Sequence, residues 1–319
     1  MWTSFFLGGH CEIDKSMKLK VNLAGTIIGL TFLGQARKAI RLCNQYFQGF
    51  LCSGQRCDAE VEVSILEKAH DELPYQGNTK PPIFEQLLPI QKVAAWLRAF
   101  PEYTEDFPIS EDSVSAYCHG GLLLFDPNTK AGRIYLLRQG SRCFQPIYRI
   151  LWIYFAQVLG ECGACFVHAA ALAKDGEGYL FMGDSGAGKS TLAGLCEDCN
   201  VLSDDGPILS KQNGECLVYP SPYSQINRIN GGTNSVIHLA ALLKGMYFLI
   251  KGEGVLLEEV SKGVALLHII NRFIHFFPYL SVYAKTMLFE LFSNVCYEIN
   301  SYNFCFRLDR DIGDIIFRR

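Results

Sequence analysis

Residues 183–192 read GDSGAGKSTL, set between an apolar run, GYLFM, and a helix-forming segment, STLAGLCED. Gly183, Gly188, Lys189 and Ser190 satisfy G-x-x-x-x-G-K-[ST], the pattern of a phosphate-binding loop. That pattern dictates local architecture. A strand must run in and a helix must run out. The glycines must let backbone N–H groups close around an anion at the helix start, where amide donors lack partners. The candidate nucleotide contacts are therefore Gly183, Asp184, Ser185, Gly186, Ala187, Gly188, Lys189, Ser190 and Thr191. Lys189 is placed to neutralise β- and γ-phosphate oxygens, and the Ser190 hydroxyl to ligate Mg²⁺, so ATP and Mg²⁺ are the expected cofactors.

Two further features belong to the same region. In VLSDDGPIL (201–209), apolar residues run into two adjacent acids, which places Asp204 and Asp205 at a strand end beside the phosphate loop. One carboxylate can hold Mg²⁺ and the other can take a proton from an attacking hydroxyl. A solvated Asp-Asp-Gly turn is the bland alternative, and the position one helix and one strand after Lys189 weighs against it. His168 is expected inside a strand, FVHAAALA (166–173), which the turn KDGE joins to the strand entering the loop. A His on an apolar strand is commonly a satisfied core residue, yet from a neighbouring strand it reaches the aspartate pair.

Read together, HAAAL, GYLFMGDSGAGKSTLAGL and VLSDD resemble the core of the HPr kinase/phosphorylase superfamily, over residues 166–206. That superfamily is similar in fold to the nucleotide domain of phosphoenolpyruvate carboxykinase. The resemblance implies an α/β, P-loop kinase domain with a mixed β-sheet. It implies His168 as the family's upstream histidine, Lys189 as its ATP-loop lysine and Ser190 as its magnesium serine. Asp205 falls on the proton acceptor, which leaves Asp204 near the metal. The chain departs from the family in reading GKST rather than GKSE. It also lacks the E-[IV]-R-G-x-G signature, for which INRING at 226–231 offers Arg228 but has Asn227 in place of the glutamate. These departures bear on phosphorolysis and on HPr as acceptor. The chain also resembles divergent HPr-kinase-like proteins of peptide-modification gene clusters, some of which phosphorylate a serine of a ribosomally made peptide. Members of the HPr kinase family form hexamers, so the resemblance admits a homo-oligomer.

Composition narrows the alternatives. Lys plus Arg number 29 against 32 acids, a net charge of −3, with no basic stripe of the kind that binds nucleic acid. The most apolar stretch, IYRILWIYFAQVLGECGACFVHAAALA, is interrupted by Arg149 and Glu161 and reads as a buried helix running into a strand, so no membrane span is expected. The opening residues lack the marks of a signal peptide, and 13 cysteines is an odd count, so a cytoplasmic protein with reduced thiols is expected. The pairs Cys162/Cys165 and Cys196/Cys199 have zinc-like internal spacing. The second lies about ten residues down a helix, ~15 Å from the first, and buried thiols are the simpler reading.

A boundary is expected near Gly140. Before it, residues 1–140 read as an α+β domain, with strands in 18–33 and 61–66 and a hairpin at 121–138. Six prolines between Asp71 and Pro108 mark loop, although QLLPIQKVAAWLRAF contains a helical stretch. After it, residues 141–319 read as the nucleotide domain. It opens with an apolar helix over 146–160 and includes two strands about a Gly-rich turn in GMYFLIKGEGVLLEEVSKG. Ser261 is a candidate cap for a helix through VALLHIINRFIHF, and a last helix at 282–297 precedes a strand, NFCFRLD. The sequence has no N-K-x-D for guanine and no LSGGQ-like signature, which disfavours an ATPase or GTPase motor and a guanine-specific switch. The expected activity is transfer of phosphate to a hydroxyl, a serine of a peptide or small protein. An HPr kinase/phosphorylase proper, a small-molecule kinase and a non-catalytic ATP-binding module are the alternatives.

Overall fold

The computed structural model describes residues 17–33, 36–66, 86–87, 112–118, 121–137, 145–196, 199–224, 240–250, 252, 254–273, 280–306 and 316–317. Its first half builds β1 (Met17–Leu23), β2 (Thr26–Leu33), α1 (Arg37–Phe47), β3 (Ala59–Leu66), β4 (Gln86–Leu87), β5 (Val114–Cys118), β6 (Gly121–Asp126) and β7 (Ala131–Leu137). These strands form one sheet in the order β1-β2-β3-β7-β6-β5-β4, with β2, β3 and β7 parallel and the other pairings antiparallel. The expected hairpin at 121–138 is β6–β7. Its turn is held by Asp126, whose carboxylate accepts from the Asn128 amide at 3.1 Å and the Thr129 hydroxyl at 2.6 Å. Of the expected helical stretch in QLLPIQKVAAWLRAF, Gln86 and Leu87 form β4 and the rest lies outside the described residues.

The apolar helix is α2 (Gln145–Glu161). Ile147, Ile150, Leu151, Tyr154, Phe155 and Val158 are buried in the core that covers the first sheet, and Ala164, Phe166, Ile208 and Tyr223 from the second half join that same core. The fit is close: a Cβ on Gly132 of β7 would lie 2.5 Å from the Tyr154 ring. The expected boundary near Gly140 lies outside the described residues, and the helix that follows it packs on both halves.

The second half builds β8 (Ala164–Phe166), β9 (Ala169–Lys174), β10 (Glu177–Met182), α3 (Lys189–Leu195), β11 (Asn200–Ser203), β12 (Ile208–Gln212), β13 (Glu215–Tyr219), β14 (Ala241–Leu249), β15 (Leu256–Glu259), α4 (Lys262–Phe273), α5 (Val282–Glu298) and β16 (Asn300–Cys305). They form a mixed sheet in the order β11-β9-β10-β14-β13-β12-β8. One edge of β14 is shared: its first residues pair with β13, and Gly245–Leu249 pair with β16. The segment expected to give two strands does so, and the two do not pair with each other. β14 and β15 are both strands, but β16 lies between them, parallel to β14 and antiparallel to β15. Ser261 precedes α4, and its backbone carbonyl accepts from the Ala265 amide at 2.9 Å.

Strand alternation divides the interior into two layers. Ala169, Ala171, Ala173, Leu180, Met182, Met246 and Phe248 face α4 and α5. Ala170, Leu172, Tyr179, Phe181, Tyr247 and Leu249 pack with Leu192 and Ala193 of α3. Among the described residues no helix is long and apolar enough to cross a membrane.

Candidate active site

Three segments converge at one end of the second sheet because of strand direction. β9 is antiparallel to both β10 and β11, so the start of β9 lies beside the ends of its two neighbours. His168 stands just before β9, the phosphate loop follows β10, and Asp204-Asp205 follow β11. The aspartates therefore end a strand that is one removed from the loop strand, and the strand between them is the one that His168 precedes.

His168 is also not inside a strand. β8 pairs with β12, whereas β9 pairs with β10 and β11, so the chain changes partners at Val167–His168. The Val167 amide goes to Pro207, and the Ala169 amide turns back to the Val167 carbonyl at 2.9 Å. That bend leaves the His168 side chain 37% exposed, which removes the core-residue alternative.

The loop is shaped by its glycines. A Cβ on Gly183 would lie 2.7 Å from Ala187 Cβ and 3.1 Å from Leu249 Cβ, so the loop can fold back on itself only with glycine there. Gly188 has φ 99° and opens α3 without a side-chain cap. The Ala187 amide donates to the Asp184 carbonyl at 3.0 Å, which closes the turn. Asp184, Ser185, Gly186, Ser190 and Thr191 are exposed.

Lys189, in contrast, is buried at 8% exposure. Its ammonium donates to the carbonyls of Gly183 at 2.7 Å and Asp184 at 3.3 Å, and lies 2.9 Å from His168 Nε2. A protonated lysine requires His168 Nε2 to act as acceptor, which puts the imidazole proton on Nδ1. That nitrogen faces Asp205 Oδ1 at 3.5 Å. Asp205, His168 and Lys189 thus form a line from the acid pair to the phosphate loop.

The two acids sit in different surroundings. Ser203 Oγ accepts from the Asp205 amide at 3.4 Å and the Gly206 amide at 3.0 Å, which fixes the turn. Asp205 has a 38% exposed side chain. Asp204 is 5% exposed and accepts from Ser224 Oγ at 2.7 Å. Ser224 was not found from sequence. It lies 20 residues beyond Asp204 and carries no motif of its own. Arg228 lies outside the described residues.

The donor set fits the expected cofactors. A glycine-shaped loop around a buried lysine suits a polyphosphate. The Ser190 hydroxyl and aspartate oxygens are hard donors of the kind Mg²⁺ takes. Among the described residues no three His, Cys, Asp or Glu side chains form a metal-holding group. Mg²⁺ commonly binds through one or two carboxylates together with substrate phosphates and water, not in an all-protein cage. Of the paired cysteines, Cys165 is buried and Cys162 exposed, while Cys196 and Cys199 are half-buried.

The family model described as SynChlorMet cassette protein ScmC matches residues 144–296. That span runs from the start of α2 to the last turn of α5 and holds every site residue named above, and it leaves the first sheet outside. Among solved structures, the chain is similar to the Hpr(Ser) kinase/phosphatase from Coxiella burnetii. Identity is 14%, the match covers 47% of this chain and 85% of that one, and the TM-score is 0.27. No curated protein matches the chain.

Proposed function

We propose that this chain is an ATP- and Mg²⁺-dependent kinase that phosphorylates a hydroxyl, a serine on a peptide or small protein. The observation that carries this reading is the line Asp205–His168–Lys189, which joins a proton acceptor to a phosphate-binding lysine. A nucleotide-binding module has no need of a half-exposed carboxylate held beside its phosphate site. ATP supplies the γ-phosphoryl group, and Mg²⁺ neutralises charge on its oxygens. Lys189 and the loop amides hold the phosphates, while Ser190 and Asp204 hold the metal. Asp205 would accept the proton of the acceptor hydroxyl as its oxygen bonds to the γ-phosphorus and the bond from that phosphorus to the bridging oxygen breaks, releasing ADP, and His168 orients the Asp205 carboxylate. Arg228 is the candidate for balancing charge on the group in transfer. The match to a cassette-protein family supports an acceptor encoded beside this chain.

The test is mass spectrometry of the full chain with Mg·ATP and candidate acceptors, namely HPr and small peptides encoded beside the gene. One phosphoryl group is expected on one serine. Asp205→Asn should slow transfer by about 100- to 10,000-fold with ATP binding retained. ATP binding with no phosphorylated acceptor and no ADP release would establish the binding module instead. Equal loss of binding and transfer in Asp205→Asn would make Asp205 structural.

A further inference from the structure

Ser224 is the fourth residue of a compact turn, Ser221-Pro222-Tyr223-Ser224, in which Ser221 Oγ accepts from the Tyr223 amide at 3.2 Å. Both serines are fully buried. Tyr223 anchors the turn. Its ring stacks on Trp152 of α2, with centroids 4.3 Å apart and an 11° interplanar angle, and meets Phe166 of β8 edge-on at 5.3 Å. Gly206, directly after the acid pair, packs against the same group, its would-be Cβ 3.6 Å from Tyr223 Cβ and 3.8 Å from Trp152.

This cluster has two outlets into the site. Phe166 lies two residues before His168, which faces Asp205. Tyr223 lies one residue before Ser224, which faces Asp204. One aromatic anchor therefore fixes the partners of both acids. It gives them different partners, an imidazole for the exposed carboxylate and a hydroxyl for the buried one. A carboxylate rotates freely about its last bond unless an oxygen is held, and outer partners of this kind set the orientation of metal ligands.

We infer that Ser224 is a positioning residue for Asp204, its hydroxyl holding one carboxylate oxygen so that the acid is fixed in one orientation toward a divalent cation at the phosphate loop. The inference rests on the reading of Asp204 as a metal-holding residue in the proposed kinase. It divides the acid pair into a metal-holding acid set by Ser224 and a proton-accepting acid set by His168.

The test titrates Mn²⁺ into the full chain with ADP and reads free Mn²⁺ by electron paramagnetic resonance, so that no turnover is needed. Ser224→Ala should weaken Mn²⁺ binding by about 10- to 100-fold and leave metal-free ADP affinity unchanged. Ser224→Cys keeps the shape with a weaker donor and carries the test if the alanine variant does not fold; several-fold weaker Mn²⁺ binding is expected. Ser221→Ala removes a hydroxyl from the same turn, and should lower the melting temperature without changing Mn²⁺ affinity.

Wild-type Mn²⁺ affinity in the Ser224 variants would overturn the inference, as would equal weakening in Ser221→Ala. Asp204→Asn binding Mn²⁺ as tightly as wild type would overturn it by removing the ligand. A wild-type chain that binds Mn·ADP, shows the Ser224 effect and transfers no phosphate would sink the kinase reading and keep this one. A wild-type chain with no Mn²⁺·ADP binding would sink both.

Discussion

The two sheets use burial differently. In the first, Val21, Leu23, Ile28, Leu30, Val61, Val63, Leu123, Phe125, Ile134 and Leu136 enter a single core shared with α1 and α2. In the second, β9 sends alternate residues into two cores, and those residues are Ala169, Ala171 and Ala173 on one side and Ala170 and Leu172 on the other. Branched, bulky side chains make a thick layer that holds a fold. A run of alanines makes a thin one, across which helices on both faces press on the same backbone. Among the described residues, His168, the loop at 183–190 and Asp204-Asp205 lie at the ends of the thin strand and its two neighbours. Position at the site is therefore controlled by backbone that has little room to shift.

The largest expected effect is at the site itself. Lys189→Ala removes a buried ammonium from the loop, and transfer should fall by about 100- to 1,000-fold. ATP affinity, measured by titration calorimetry, should fall with it by roughly 10- to 100-fold. An unchanged ATP affinity would remove Lys189 from the phosphate site and leave the second sheet without its distinguishing role.

Next comes a paired test of the two layers. Leu123→Ala empties a fully buried position in the first sheet and should cost about 2–5 kcal/mol in a denaturant titration. Transfer per folded molecule should stay near wild type. Ala171→Leu overfills β9 and should cost less stability, about 1–3 kcal/mol. Ala171 is paired with Leu180 of the loop strand and with Ser203 of the acid strand. Extra volume there should separate His168 from Asp205 and slow transfer by more than the stability loss accounts for. Destabilisation with unaltered transfer in Ala171→Leu would show that the thin layer has the same slack as the thick one.

The same contrast explains what could be read from sequence. The strand, loop and helix around residues 183–190 were legible because their pattern is local: glycine spacing, lysine and serine fall within one short run. The hairpins at KDGE and DPNTKAG were legible because turn residues state their own geometry, Asp175 and Gly176 having φ 52° and 83°. Nonlocal pairing was not legible. Nothing in FVHAAALA marks the change of partner at Val167–His168, because β8 and β9 are equally apolar and only their neighbours differ. β16 could not be placed between β14 and β15, since a strand that arrives after two helices leaves no trace in the segment it pairs with. Ser224 was invisible for the same reason. The Asp-Asp pair gave the position of the acids, and the fold alone gave their unequal surroundings.

The smallest effect tests the junction between the sheets. Glu161 ends α2, is buried, and accepts from Ser281 Oγ, whose oxygen also caps α5 by accepting from the Ala284 amide at 3.0 Å. Burial raises the Glu161 carboxyl above its ordinary value, with the Ser281 hydrogen bond and the Lys130 charge pulling the other way. A carboxyl raised in the folded state holds its proton longer there than in the unfolded chain. Ionisation therefore costs stability as pH climbs from the ordinary glutamate value through the raised one, and the cost is complete above it. Glu161→Gln keeps an oxygen to accept from Ser281 and cannot ionise. Its melting temperature should exceed wild type by on the order of 2 °C at pH 8 and match it at pH 3. A gain of the same size at both pH values would trace to packing of the amide. No gain at pH 8 would mean that Ser281 and Lys130 offset the burial in full, and that the junction tolerates a charge as readily as the exposed end of the second sheet does.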